Sequence, residues 1–239
     1  MSDLKPKDRI MFPLDVQTEE EAVKFAEILK DSVGVFKIGL ELFTACGPSV
    51  IDNVKKTAPD GKIFLDLKLH DIPATVAGAV KSASKLGVDF LTVHAMGGSE
   101  MLSAAASERG DINILGVTVL TSMSLNDIKE VGFSDEYNEP GDLVEDLADL
   151  VRASGCQGLV SSPLEVKALR EALGQDMILV TPGIRPSDSD KGDQKRIATP
   201  ESAIKDGSDY LVIGRPIRNA PDPRKAAEDI AEEIRKALN

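Results

Sequence analysis

Asp66, Lys68 and Asp71 set three charges into Ile63-Phe64-Leu65-Asp66-Leu67-Lys68-Leu69-His70-Asp71-Ile72, a run that otherwise reads as a buried strand. Apolar residues on both faces mark a strand of a parallel sheet covered on both sides. Side chains two apart share a strand face, so Asp66 and Lys68 point the same way. A carboxylate and an ammonium are seldom buried there without each other. A structural ion pair is the plain alternative, since such pairs are common. Asp15 at the end of the first strand-like run, Lys37 at the end of the second, and two Gly-Arg segments near the C-terminus argue for more. Alternating Asp and Lys around one opening form a network in which each charge offsets its neighbours. Such a network can impose electrostatic stress on the charge of a bound substrate.

Those residues need a frame that brings distant strand ends together. Strand-like runs near 9–15, 34–39, 62–68, 88–94, 112–119, 156–160, 177–181 and 209–213 alternate with helical patterns. The helical stretches fall at about 18–31, 43–57, 73–86, 97–109, 142–154, 163–173, 199–206 and 222–237. Thr18 with Glu21 offers a capping box, and Pro73 and Pro163 suit first-turn positions. Gly34, Gly61, Gly87, Gly155 and Gly207 stand where helices should end. Between Asp15 and Ile213 the strand ends recur about every 28 residues, the length of a βα module. Eight modules predict a closed (β/α)8 TIM barrel, with residues 1–239 as a single α/β domain. A doubly wound open sheet is the runner-up. It needs a Gly-rich turn after the first strand, where the chain has Pro13-Leu14-Asp15-Val16-Gln17.

In a barrel the strand C-termini converge on one mouth, where active sites sit. Asp15, Lys37, Asp66, Lys68, His94, Thr121, Thr181 and Gly214 all fall at or just past strand ends. Pro182-Gly183-Ile184-Arg185 follows the seventh strand and Ile213-Gly214-Arg215-Pro216-Ile217 the eighth, the loops that commonly hold phosphate in barrels. Glycine lets backbone N–H groups approach an oxyanion, and arginine binds phosphate bidentately. A tight turn with an exposed arginine is the competing reading of either loop alone. Residues 183–198 are polar, charged and aperiodic, as expected of a lid, and Gln194 within them is a candidate further phosphate donor. His94 stays ambiguous between a structural and a catalytic role. Cys46 and Cys156 read as packing residues.

Composition bounds the partners. A formal charge of −12 argues against nucleic acid and anionic membranes, although a few local cations can still bind an anionic small molecule. Trp is absent and aromatics make up 4%, so no platform for stacking bases is expected, and Ile, Val, Leu and Ala are expected to fill the core. No apolar run approaches the roughly 18 residues of a membrane span. Two cysteines without metal-type spacing, and no signal peptide, predict reduced thiols in a cytoplasmic protein. Two histidines are too few for a His-rich metal site, and Lys68 would already neutralise Asp66 as a Mg2+ ligand.

Taken in order, these segments resemble orotidine 5′-phosphate decarboxylases. The signature is Phe64-Leu-Asp66-Leu-Lys68-Leu-His-Asp71-Ile-Pro-Ala-Thr75. Leu-Asp15-Val, Phe-Lys37-Ile-Gly, Leu120-Thr121-Ser122-Met123-Ser124, Thr181-Pro-Gly-Ile-Arg185 and Gly214-Arg215 match further segments, and the length is that of the compact prokaryotic forms. The resemblance implies a homodimer with shared active sites that converts orotidine 5′-monophosphate to UMP and CO2 without metal or organic cofactor. It implies a charge network of Lys37, Asp66, Lys68 and the neighbouring chain's Asp71, with Lys68 protonating C6 of the pyrimidine. Asp15 and Lys37 would bind ribose hydroxyls, with Thr75 of the neighbouring chain assisting and its Ile72 lining the apolar pocket near the leaving CO2. Ser124, with Thr121 near it, would address the base. Pro182 belongs to the same binding set. Gln194, Arg215, the Gly214 amide and Arg185 would hold phosphate.

Two rivals are weighed against this. A sister group of phosphosugar decarboxylases and aldolases shares D-x-K-x-x-D and needs Mg2+, but its core does not continue Ile-Pro-Ala-Thr. A phosphate-ligand-binding barrel without catalysis would not need Asp66, Lys68 and Asp71 intact.

Overall fold

The structure is a computed structural model that describes residues 4–186 and 198–238. Eight parallel strands close into a barrel, each hydrogen-bonded to the next, with the first pairing the last. They are β1 (Ile10–Pro13), β2 (Val35–Gly39), β3 (Lys62–Leu69), β4 (Phe90–His94), β5 (Asn113–Val117), β6 (Gly158–Val160), β7 (Ile178–Thr181) and β8 (Tyr210–Val212). The helices are α1 (Glu19–Leu29), α2 (Leu40–Cys46), α3 (Ser49–Thr57), α4 (Pro73–Ser84), α5 (Gly98–Ser107), α6 (Leu125–Glu130), α7 (Pro140–Ala153), α8 (Val166–Leu173), α9 (Pro200–Lys205), α10 (Arg215–Arg218) and α11 (Pro223–Ala237). The closed sheet is the predicted architecture, and the open doubly wound alternative does not occur.

The doubly apolar strands serve two cores. Met11, Val35, Phe64, Phe90, Leu115, Ile178, Val180 and Tyr210 form one buried cluster, the filled interior of the barrel. The intervening residues, such as Phe12, Phe36, Ile63, Leu65, Leu91 and Val93, belong to the larger cluster between sheet and helices. The aliphatic core expected from composition needs correcting here. Phe64 packs edge-on against Phe90 at 6.2 Å between ring centroids, and Phe90 against Tyr210 at 5.2 Å. Few aromatics are present, but three of them plug the barrel floor. Above them the interior is free to carry charge.

Local differences have local causes. The expected helix over 43–57 is two helices, because Gly47 takes φ 67° and Pro48 follows it. Pro163 lies in a turn, three residues before α8, and not in its first turn. Pro73 does start α4, and the Thr18 hydroxyl caps α1 by accepting from the Glu21 amide.

At the floor end, Arg170 and Asp209 form a buried ion pair at 2.7 Å. The guanidinium also donates to the carbonyls of Gly174, Met177 and Gly207, and Asp209 accepts from the Leu179 amide. This clamp ties α8 to the start of β7 and β8, far from the mouth. Arg170→Ala strands the carboxylate and three carbonyls. It is expected to cost about 3–5 kcal/mol of stability in denaturant unfolding.

Candidate active site

β3 carries the densest chemistry, and it is not a regular strand. Phe64 and Leu65 pair with Phe90 and Leu91, but the next pairing joins Leu69 to Val93. Four steps along β3 thus match two along β4, a bulge at the residues that carry charge. Among the described residues Lys68 is the one non-glycine residue with positive φ, at 49°. Such backbone is strained for a side chain with a Cβ and persists where the surroundings over-determine it. Sequence alternation placed Asp66 and Lys68 on one face. The structure also brings them together, through a bulge and not through a plain pleat.

The charges form a chain. Asp15 Oδ1 lies 3.4 Å from Lys37 Nζ, and Lys37 Nζ lies 3.4 Å from Asp66 Oδ2. Lys68 Nζ donates to Asp66 Oδ1 at 2.8 Å. Asp66 is buried, which pushes its carboxyl up. The ammoniums of Lys37 and Lys68 and the hydrogen bonds from Lys68 and Thr92 outweigh burial and hold it below the ordinary carboxylate value. A depressed carboxyl adds stability that is full above its unfolded pKa of about 3.9 and is lost as pH falls through the folded value. Asp66 is therefore ionised at neutral pH. Gly39 stands close beside it: a Cβ there would sit 3.1 Å from Lys37 Nζ, so a larger residue would have to displace the ammonium slightly.

A cleft of about 480 Å³ opens over this chain. Asp15, Lys37, Asp66, Lys68, Thr121, Pro182, Arg185, Gly214 and Arg215 all line it. The loops after β7 and β8, with Arg185 and Arg215, thus share one cavity with the charged chain. Gly214 approaches β1 closely, and a Cβ there would meet Pro13 Cγ at 2.8 Å. Ile184 is fully buried, Arg185 is buried, and Ile184 bridges to Ala198. The two ends of the expected lid at 183–198 are therefore part of the scaffold. Its middle, 187–197 with Gln194, lies outside the described residues.

Asp71, Ile72, Thr75 and Ser124 do not line the cleft of their own chain. Asp71 accepts from the Ile72 amide at 2.6 Å, and Ile72 is 67% exposed at the head of α4. Ser124 caps α6. Its hydroxyl donates to Asp127 at 2.7 Å, and its own amide donates to the same carboxylate. The Ser-x-x-Asp spacing was the sequence signal for this short helix.

Sequence reasoning passed over three residues at the site. Thr92 Oγ1 donates to Asp66 Oδ1 and accepts from the Lys68 amide, both at 2.9 Å. Arg218 lines the cleft and donates to the Asp15 carbonyl at 2.6 Å. Ser161, just past β6, presents a buried hydroxyl without a hydrogen-bond partner. A polar residue inside an apolar strand run, as in Leu91-Thr92-Val93, was the available signal for Thr92.

The histidines at the mouth stack on each other, His70 on His94, at 5.4 Å. Burial, then His70 and Lys68, push His94 below its ordinary value, so it is neutral at pH 7. Cys156 is buried, and its thiol is pushed up to about 12, which fits the packing role. Among the described residues no cluster of three His, Cys, Asp or Glu could hold a metal ion, and no helix is long and apolar enough to cross a membrane. Asp66 has both oxygens facing Lys68, Thr92 or Lys37.

Residues 8–230 match the family described as orotidine 5′-phosphate decarboxylase / HUMPS. This chain belongs to that family. A protein of Desulfosudis oleivorans named orotidine 5′-phosphate decarboxylase is 47% identical over 237 residues, covering 98% of this chain and 95% of its own. One of the same name from Trichlorobacter lovleyi is 48% identical over 235 residues, covering 95% of each. The crystal structure of orotidine 5′-phosphate decarboxylase from Lactobacillus acidophilus superposes with a TM-score of 0.83 at 38% identity, covering 94% of this chain and 98% of that one. The orotidine 5′-phosphate decarboxylase from Pyrococcus horikoshii gives 0.78 at 27% identity, covering 95% and 99%. The family resemblance read from the signature around Asp66 and Lys68 thus holds along nearly the whole chain.

Proposed function

We propose that this protein decarboxylates orotidine 5′-monophosphate to UMP and CO2, the last step of de novo pyrimidine nucleotide synthesis, using neither metal nor organic cofactor. The reading rests on one observation above others. In a member of this family, a chain of alternating charges from Asp15 to Lys68 ends on an ammonium inside the cleft. In the reaction the bond from C6 to the carboxylate breaks and its electron pair stays on C6. Lys68 then gives C6 a proton, and the resulting amine recovers one from water. The pair at C6 lies in the ring plane and is poorly delocalised, so an adjacent ammonium lowers the barrier by stabilising charge that develops only in the transition state. Asp66 orients Lys68 and sits where the substrate carboxylate would be crowded.

Asp15 and Lys37 would hold the ribose hydroxyls, and Thr121 would approach the base. Arg185, Arg215 and the Gly214 amide, with Gln194, would hold the phosphate across the cleft. Ser124 would reach the base only after leaving its capping position. Asp71, Ile72 and Thr75 would serve the site of a neighbouring copy in a homodimer. Nucleic acid and membranes are not expected as partners, and the cytoplasm is the expected location.

The test is purified protein with orotidine 5′-monophosphate and EDTA, followed by loss of pyrimidine absorbance. Turnover unaffected by chelator supports the reading. Activity that needs Mg2+ would move the chain to the phosphosugar group. Tight UMP binding without CO2 release would make it a binding protein.

Arg215→Ala gives a second check. Losing one partner of a desolvated charge pair is expected to cost about 2–5 kcal/mol in kcat/KM. A substrate without its phosphate should be turned over poorly by the native protein and lose little further from the substitution. Equal fractional losses on both substrates would place Arg215 outside the phosphate site.

A further inference from the structure

We propose that Thr92 is the positioning residue of this site: its hydroxyl, reaching across from β4, fixes the β3 bulge on which Asp66 and Lys68 stand. The inference rests on the reading of Lys68 as proton donor and names what holds that lysine in place.

Thr92 is fully buried, and its hydroxyl both donates one hydrogen bond and accepts one. Its proton goes to Asp66 Oδ1, the oxygen that also receives Lys68 Nζ. Its lone pair takes the Lys68 backbone N–H. One hydroxyl therefore ties the side chain of one member of the pair to the backbone of the other. The Lys68 amide would otherwise have been left over by the bulge, since the regular ladder between β3 and β4 lapses between Leu65 and Leu69. A buried amide without a partner is costly, so the threonine makes the irregular strand tenable. This bond meets the Lys68 amide where φ is 49°, one residue before the ladder resumes at Leu69 and Val93. Flanking Leu91 and Val93 point into the outer core, so the residue between them must face the barrel interior, where an apolar side chain would satisfy the packing. Packing alone does not call for a hydroxyl here.

This separates two roles experimentally. Valine keeps the shape of threonine and removes the hydroxyl; serine keeps the hydroxyl and removes a methyl group. If Thr92 only fills space, Thr92→Val should resemble the native protein, and Thr92→Ser should be the weaker variant. If it positions the pair, the order reverses. Misplacement of a reacting group by about 1 Å can cost on the order of 100-fold, so Thr92→Val is expected to lose about 10- to 100-fold in kcat. UMP affinity should stay within about threefold, because the proposed phosphate contacts come from the loops after β7 and β8. Thr92→Ser should recover most of kcat. A crystal structure of Thr92→Val should show Lys68 out of the left-handed region.

The native protein is assayed first on orotidine 5′-monophosphate. Absence of turnover there refutes the functional reading and leaves the crystallographic arm to judge the clamp. With native turnover established, Thr92→Val at native kcat, or Thr92→Ser as impaired as valine, overturns the positioning role. If Thr92→Val does not fold, Thr92→Ser decides alone: near-native kcat supports the role and a large loss refutes it.

Discussion

Lys68→Ala is expected to lower kcat by at least about 10⁴-fold while the protein still binds nucleotide. The size follows from two roles lost together. Positioned proton transfer contributes about 10²- to 10⁴-fold, and preorganised charge at a developing anion about 10²- to 10³-fold. Neither role passes to another described side chain. Lys37 is the other ammonium on Asp66, but it stands on the opposite oxygen and is shared with Asp15. Binding should survive, because the arginines of the loops after β7 and β8 still line the cleft. UMP is expected to bind at least as well as before, since Asp66 loses a partner that competes for it. Calorimetry with UMP, next to turnover on orotidine 5′-monophosphate, measures both. Turnover near the native rate would remove Lys68 as proton donor. A loss of UMP binding matching the loss of turnover would show a collapsed site and not a missing acid.

The barrel was legible in the sequence because its signal is repeated. Eight apolar runs at even spacing survive errors of one or two residues at each end, and the strands lie inside the predicted runs except β3, which continues one residue further, to Leu69. Asp15, Lys37, Asp66 and Lys68 were legible for a related reason. Charges inside apolar strands are costly, so their presence points to each other. What the sequence hid depends on geometry off the regular repeat. The bulge in β3 has no compositional mark, since Asp-Leu-Lys-Leu alternates like any strand, and so the left-handed backbone of Lys68 and its bond to Thr92 emerge only in the folded barrel. Short α6 and α10 carry too little periodicity to register. Ser124 was read through the family resemblance as a base contact, yet its spacing to Asp127 makes a cap that competes for the same hydroxyl. The floor clamp of Arg170 and Asp209 joins residues far apart in sequence, and neither stands in a motif.

The position of Asp71 leads to the second large effect. Asp71→Asn is expected to cost about 10³-fold or more in kcat, because the open end of the charge chain, at Lys68, would lose its second carboxylate. On the shared-site proposal that carboxylate is the Asp71 of a neighbouring copy. Asp71 is exposed, bonds the Ile72 amide, and is absent from the lining of its own cleft. Exposed Ile72 beside it is a side chain that a neighbouring copy would bury. In a two-fold dimer both sites are built alike, each borrowing one Asp71. Two nearly inactive proteins, Lys68→Ala and Asp71→Asn, can then repair each other. When their subunits exchange, one site of a mixed dimer collects both lesions, and the other receives an intact Lys68 and an intact Asp71. Random pairing makes about half the dimers mixed, so about a quarter of native activity should return. Titrating one variant into the other should give a curve that peaks at equal amounts. If Asp71 serves its own chain, every site keeps a lesion at any ratio. Mixtures that stay as inactive as their components, after subunit exchange has been verified with labelled protein, would end the shared-site assignment and leave Asp71 to be placed within one chain.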